Sequence, residues 1–145
     1  MLSLKKFLSD KGYIRVPLLL TKTNHFEVRA KINDIEGRFI LDTGASSTCV
    51  GIDCIEHFNL ITQDSKIKAS GAGATNMDTQ MSKKNTLKIG KWEKEKVKIV
   101  LFDLKHVNSA LALHNAIPVH GIIGADVLKK TKAIIDYDKK VLFLK

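Results

Sequence analysis

Residues 26 to 32 read Phe-Glu-Val-Arg-Ala-Lys-Ile, apolar and polar in strict alternation. A period of two sends successive side chains to opposite faces of a strand, so this segment has one face for a core and one for water. Asn33-Asp34-Ile35-Glu36-Gly37 then supplies a turn, and Arg38 to Leu41 returns as the second arm of a hairpin. The pattern recurs. Residues 85–89 and 95–104 flank a turn at Gly90-Lys91, and residues 133–136 and 141–144 flank Tyr137-Asp138-Lys139-Lys140. Short strands joined by tight turns fold as a mostly β domain. Helical signals are few: an amphipathic stretch over residues 1–12 ended by Gly12, a short helix through residues 55–58 capped by Asp53, and one from Val127 to Lys132 capped by Asp126. Pro17 marks residues 13–20 as an edge strand. Residues 105–120 show no period and read as a loose segment.

A chain of 145 residues suits one domain, 1–145, with a single core. The formal charge of +9 raises the question of a nucleic-acid partner. Lys83, Lys84, Lys88, Lys91, Lys94, Lys96 and Lys98 alternate with apolar residues and with Glu93 and Glu95, as a solvated strand face would, so no nucleic acid is expected. Cys49, Cys54 and His57 spell C-x4-C-x2-H, but a fourth metal ligand is missing, and the thiols read as core cysteines. His106, His114 and His120 lack ligand spacing and read as surface or loop histidines. Lys5 and Lys6 interrupt the N-terminal apolar residues, so neither a signal peptide nor a membrane partner is expected. Two free thiols suit the cytoplasm.

One stretch departs from this plain picture. Phe39-Ile40-Leu41-Asp42-Thr43-Gly44-Ala45 runs an apolar triplet straight into a carboxylate and a small-residue turn. An Asx-turn at a strand end would account for Asp42 without any activity. A catalytic role needs the same rigid stem and one thing more, a second carboxylate. Water attacks a peptide carbonyl when one carboxylate takes its proton and a second, protonated, donates to the carbonyl oxygen. Two such groups side by side do not both ionise, so they hold one proton between them.

Asp42-Thr43-Gly44-Ala45 behind an apolar strand, the small residues Ser70-Gly71-Ala72-Gly73, and Ile122-Ile123-Gly124 before a helix occur in the order found in retropepsin-like aspartic proteases, which the chain resembles from about Phe26 to Lys145. The resemblance implies a closed retropepsin-like β-barrel of a single lobe with short helices, its protease core over residues 26–145. It implies Asp42 as the catalytic acid, with Thr43, Gly44 and Ala45 forming the active-site loop and the dimer contact. Ser70, Gly71, Ala72 and Gly73 would form a flap over a peptide substrate, and Ile122, Ile123 and Gly124 would support the loop. It implies no metal and no cofactor. The chain contains one Asp-Thr-Gly, so the second aspartate must come from another copy in a C2 homodimer.

Two readings of another class compete with a peptide hydrolase, and a third varies its second acid. A retropepsin-fold module could bind peptides or dimerise with little turnover. The turn after Leu41 could be the first phosphate hairpin of an actin-like ATPase, a fold that needs two large domains. Asp126 could serve as an internal second carboxylate, although its place before Val127 favours a helix cap.

Overall fold

The computed structural model describes residues 2–71 and 74–145. Helix α1 (Leu4–Asp10) leads into β1 (Ile14–Pro17) and β2 (Leu19–Leu20), then the hairpin of β3 (Phe26–Ile32) and β4 (Ile35–Leu41). A short strand, β5 (Cys49–Gly51), is followed by the 3-10 turn Ile52–Cys54 and by β6 (Gln63–Gly71), β7 (Ala74–Ile89) and β8 (Trp92–Phe102). The chain closes with α2 (Lys105–Leu113), β9 (Gly121–Ile123), α3 (Ala125–Lys130), β10 (Ile134–Asp136) and β11 (Val141–Leu144). Among the described residues no helix is long and apolar enough to cross a membrane.

The larger sheet runs in the order β2-β3-β4-β9-β5-β8-β7-β6. Lys31 and Ile32 of β3 also pair with Lys88 and Leu87 of β7, so the six strands β3-β4-β9-β5-β8-β7 close on themselves as a barrel. Closure satisfies strand edges that would otherwise invite foreign pairing. Strand β9 is threaded between β4, to which it is parallel, and β5, to which it is antiparallel. A separate three-stranded sheet, β1-β11-β10, carries α1 on its outer side.

Burial explains which strands alternate and which read as unbroken apolar runs. Val28, Ala30, Ile32, Phe39, Leu41, Val50, Leu87, Ile89, Ile99, Leu101 and Ile123 fill the barrel. Their neighbours Ile40, Cys49, Val100, Phe102 and Ile122 point outward, into a second cluster closed by Leu104, Leu111 and Val119. Strands covered on both faces therefore carry runs such as Phe39-Ile40-Leu41, while β3, wet on one face, keeps its alternation. Each such fully buried side chain contributes about 1.5–3 kcal/mol. On β11 the same logic holds, with Leu142 and Leu144 inward and Val141 and Phe143 under Leu8 of α1.

Four features differ from the sequence reading. Strand β4 starts at Ile35, because Asn33 (φ 53°) and Asp34 (φ 66°) both adopt the left-handed conformation of a two-residue type I′ turn. Residues 105–113, expected to be loose, form α2. Asp53 caps nothing: it lies inside the 3-10 turn, and Gly51 precedes that turn. Asp126 does not cap α3 either, since the cap position is Gly124 and Asp126 lies in the helix's first turn.

Candidate active site

Asp42 is the first residue beyond β4, whose Phe39 and Leu41 are anchored in the barrel and Ile40 in the outer cluster. Its backbone N–H donates to the Ile123 carbonyl (3.0 Å), extending the parallel β4–β9 ladder by one step. Its Oδ1 accepts from the Gly44 N–H (2.9 Å), and its carbonyl accepts from Ala45 (3.2 Å), which is the Asx-turn geometry. The carboxylate is half-buried, while Thr43 and Gly44 are exposed. The strand thus ends on a fixed stem with its acid facing outward.

The loop after β9 grips the Asp42 loop from the other side. Ala125 N–H donates to the Ala45 carbonyl (2.7 Å), and Gly124 N–H donates to Thr48 Oγ1 (3.0 Å). Thr48, fully buried, donates in turn from its hydroxyl (2.8 Å) and its backbone N–H (2.9 Å) to Asp126 Oδ1. The Asp126 carboxylate is therefore a strut between two loops, which is the role the structure gives it in place of a cap. Only glycine fits at 124: a Cβ there would lie 2.7 Å from the Ala45 oxygen and 2.8 Å from the Ser47 backbone.

A cavity of about 290 Å³ opens beside Asp42. Its floor is Ile40 and Ile122, one wall is His106, Val107, Ala110 and Leu111 of α2, and Thr23 and His25 form the rim. Thr23 Oγ1 and His25 Nδ1 lie 2.9 Å apart. Helix α2 is tied down by Asn108, whose Oδ1 accepts from Val119 N–H (2.8 Å) and whose Nδ2 donates to the Val119 carbonyl (3.2 Å). Sequence reasoning missed this wall. Its signal was the run Ala110-Leu111-Ala112-Leu113, good helix formers with Val107 four residues before Leu111.

The structure brings Asp42, Thr43, Gly44 and Ala45 together with Ile122, Ile123 and Gly124. Ser70 and Gly71 end β6, with Gly71 paired to Ala74 across the hairpin; Ala72 and Gly73 lie outside the described residues. Cys49 sits against the site but is sealed in the outer cluster. Burial pushes its thiol up to about 12, with smaller contributions from the Asp126 and Asp42 carboxylates. Burial and the Asp53 carboxylate move the more open Cys54 up to about 11. His120, expected as a surface or loop histidine, is half-buried and stacks on His57 with ring centres 4.8 Å apart.

A closed six-strand barrel whose Asp-Thr-Gly loop rests on an Ile-Ile-Gly strand defines a retropepsin-like aspartic protease fold. The sequence profile of the aspartyl proteases matches residues 28–127, and the chain belongs to that family. Among solved structures it is similar to a retropepsin-like aspartic protease from Rickettsia conorii, at 20% identity and a TM-score of 0.59, covering 92% of this chain and 88% of that one. EIAV protease complexed with the inhibitor HBY-793 matches at 20% identity and a TM-score of 0.55, covering 76% of this chain and 90% of the other. The retroviral protease-like domain of Ddi1 from Leishmania major matches at 14% identity and 0.55, covering 82% and 86%. No curated protein sequence matches the chain significantly.

Proposed function

We propose that the chain is an aspartic endopeptidase whose two catalytic carboxylates are the Asp42 side chains of two identical subunits. The observation that carries this reading is a carboxylate on a braced stem beside a cavity in which, among the described residues, Asp42 is the only acid. Acid–base hydrolysis needs two such groups, and a twofold axis beside the exposed Thr43-Gly44 turn supplies the second.

One proton is shared by the pair. The ionised Asp42 takes a proton from a water held between them as the water oxygen bonds to the peptide carbonyl carbon, and the protonated Asp42 gives its proton to the carbonyl oxygen. Collapse of the tetrahedral species breaks the C–N bond and passes a proton to the leaving nitrogen, releasing an acid and an amine. Thr43 and Ala45 hold the two loops together across the axis, and Gly44 lets the substrate backbone come close. The apolar floor of Ile40 and Ile122 receives a substrate side chain. The unpaired thiols suit a reducing, cytoplasmic setting.

The test is cleavage of a mixed peptide library as a function of protein concentration, with the native chain and Asp42→Asn. Activity per chain should rise with concentration as dimers form, and Asp42→Asn should lose about 10²–10⁴-fold while still dimerising. Adding the variant to native protein should poison activity through mixed dimers. Cleavage by a strictly monomeric sample, or by Asp42→Asn, would sink the proposal; tight peptide binding without cutting by either form would leave a binding module.

A further inference from the structure

His120 stands where β9 begins, at the end of that strand remote from Asp42. Its backbone N–H donates to the Arg38 carbonyl (2.8 Å), and its carbonyl accepts from Gly51 N–H (2.9 Å). Its ring completes the arrangement, because Nδ1 accepts the Arg38 N–H at 3.0 Å. A side-chain nitrogen thus replaces the backbone acceptor that would continue the β4–β9 ladder, whose first residue pair is Phe39 with Gly121. Arg38 lies four residues before Asp42 on the same strand, about 13 Å away along an extended chain. The two ends of β9 are therefore locked differently, by backbone and Thr48 near Asp42, and by backbone together with an imidazole lone pair at the far end.

We propose that His120 is a positioning residue and an acid-sensitive latch: protonation of Nδ1 removes the acceptor for the Arg38 N–H and releases the start of the β4–β9 ladder, loosening the strand that carries Asp42. A protonated imidazole has hydrogens on both ring nitrogens, so Nδ1 and the Arg38 N–H become two donors facing each other. The surroundings give the cation little shelter. His57 lies stacked over the ring, its Nε2 at 3.0 Å from the Glu36 carbonyl. Phe58, fully buried, presents its ring edge-on at 5.6 Å. Arg38 of β4 and Arg29 of β3 are cations in range, and among the described residues Asp53 is the carboxylate that favours a charged ring. The Glu27 carboxylate lies 3.2 Å from Arg38 Nε, close enough for an ion pair although no hydrogen bond joins them. Burial, His57 and Arg38 hold the His120 imidazole below its usual range.

The sign follows from that direction. The unfolded chain takes up a proton at about pH 6.5, and the folded chain takes it up only at lower pH, so acidification favours unfolding between those two points. Above pH 6.5 the latch is closed and costs nothing. The consequence for cleavage, an acid limit on activity, rests on the protease reading; the latch itself does not.

Thermal and urea unfolding of the native chain and His120→Asn between pH 8 and 4.5 test it without any substrate. Asparagine places an oxygen near the Nδ1 position and cannot be protonated there. The native unfolding constant should rise by up to tenfold per pH unit within the window, and that step should be missing from His120→Asn. Imidazole NMR of the native protein gives a second reading that survives a misfolding variant: His120 should titrate below its usual range, and the Arg38 amide should shift with the same midpoint. An identical acid step in His120→Asn, or a His120 ring that titrates at or above 6.5 with the Arg38 amide unmoved, overturns the latch. If the latch stands and no peptide is cut at any pH, it is the protease reading that fails.

Discussion

The Asp42 loop and α2 face each other across one cavity, but they are held in unlike ways. The loop is fixed by hydrogen bonds donated by the backbone N–H groups of Gly44, Ala45, Ala125, Gly124 and Thr48, two of them to backbone carbonyls and the others to the side chains of Asp42, Thr48 and Asp126. Helix α2 rests on one fully enclosed side chain, Leu111, and on the clasp between Asn108 and Val119; its other residues are half-buried or exposed, Leu113 84% so. The proposed catalytic acid thus has a stiff seat, and the wall that would judge a substrate's side chain has a soft one. A chemical step tolerates little misplacement, whereas a pocket wall that yields accepts a range of shapes.

The sharpest way to break this comparison is to place a valine in each wall. Gly124→Val should destabilise the protein by about 3 kcal/mol, because its side chain meets backbone at Ala45 and Ser47 that cannot move aside. Ala110→Val on the exposed flank of α2 should change stability by no more than about 0.5 kcal/mol. Calorimetry of the two variants decides it, and equal melting temperatures would show that the seat is not stiff.

A smaller effect is expected from Thr48→Val, which leaves Gly124 N–H without its acceptor and Asp126 without its hydroxyl donor. The loss should be about 1–3 kcal/mol, with a double-mutant cycle against Asp126→Ala returning a coupling of about 1 kcal/mol. An additive cycle would mean that the strut carries no load.

Asn108→Ala should cost about 1 kcal/mol in denaturant, while changing KM unequally across peptides that differ in side-chain size. Uniform change across the series would place α2 outside the substrate's reach. Cys49 should show the least effect of all near neutrality. The folded thiol keeps its proton to about pH 12 and the unfolded one loses it near 9, so its stabilising contribution is complete below pH 9 and is lost as pH rises from there towards 12. At pH 8, iodoacetamide should label Cys54 well before Cys49, as mass spectrometry of the digested protein would report.

Hairpins and the Asp42 motif were legible in the sequence because they depend on neighbours in the chain. Alternation from Phe26 to Ile32 and the small-residue turn after Leu41 carry their own geometry. The roles of Asp126, His120 and α2 were not legible, since each is fixed by a partner far away in sequence. Asp126 reads as a cap until Thr48 is brought beside it, 78 positions earlier. His120 reads as a loop histidine until Arg38 offers an N–H to its ring. For α2, mixed polarity hid the helix: Val107, Ala110 and Leu111 line a cavity while Ala112 and Leu113 are exposed, so the period that a packed helix shows was weak.

Threading β9 between β4 and β5 also orders events during synthesis. The Asp-Thr-Gly motif leaves the ribosome some eighty residues before the Ile123 carbonyl and Thr48's partners that seat it. A nascent chain therefore carries the signature without its seat, and the loop is braced only when β9 and the residues after it slot home. For a proposed protease, that delay would keep the acid unseated until β9 has emerged.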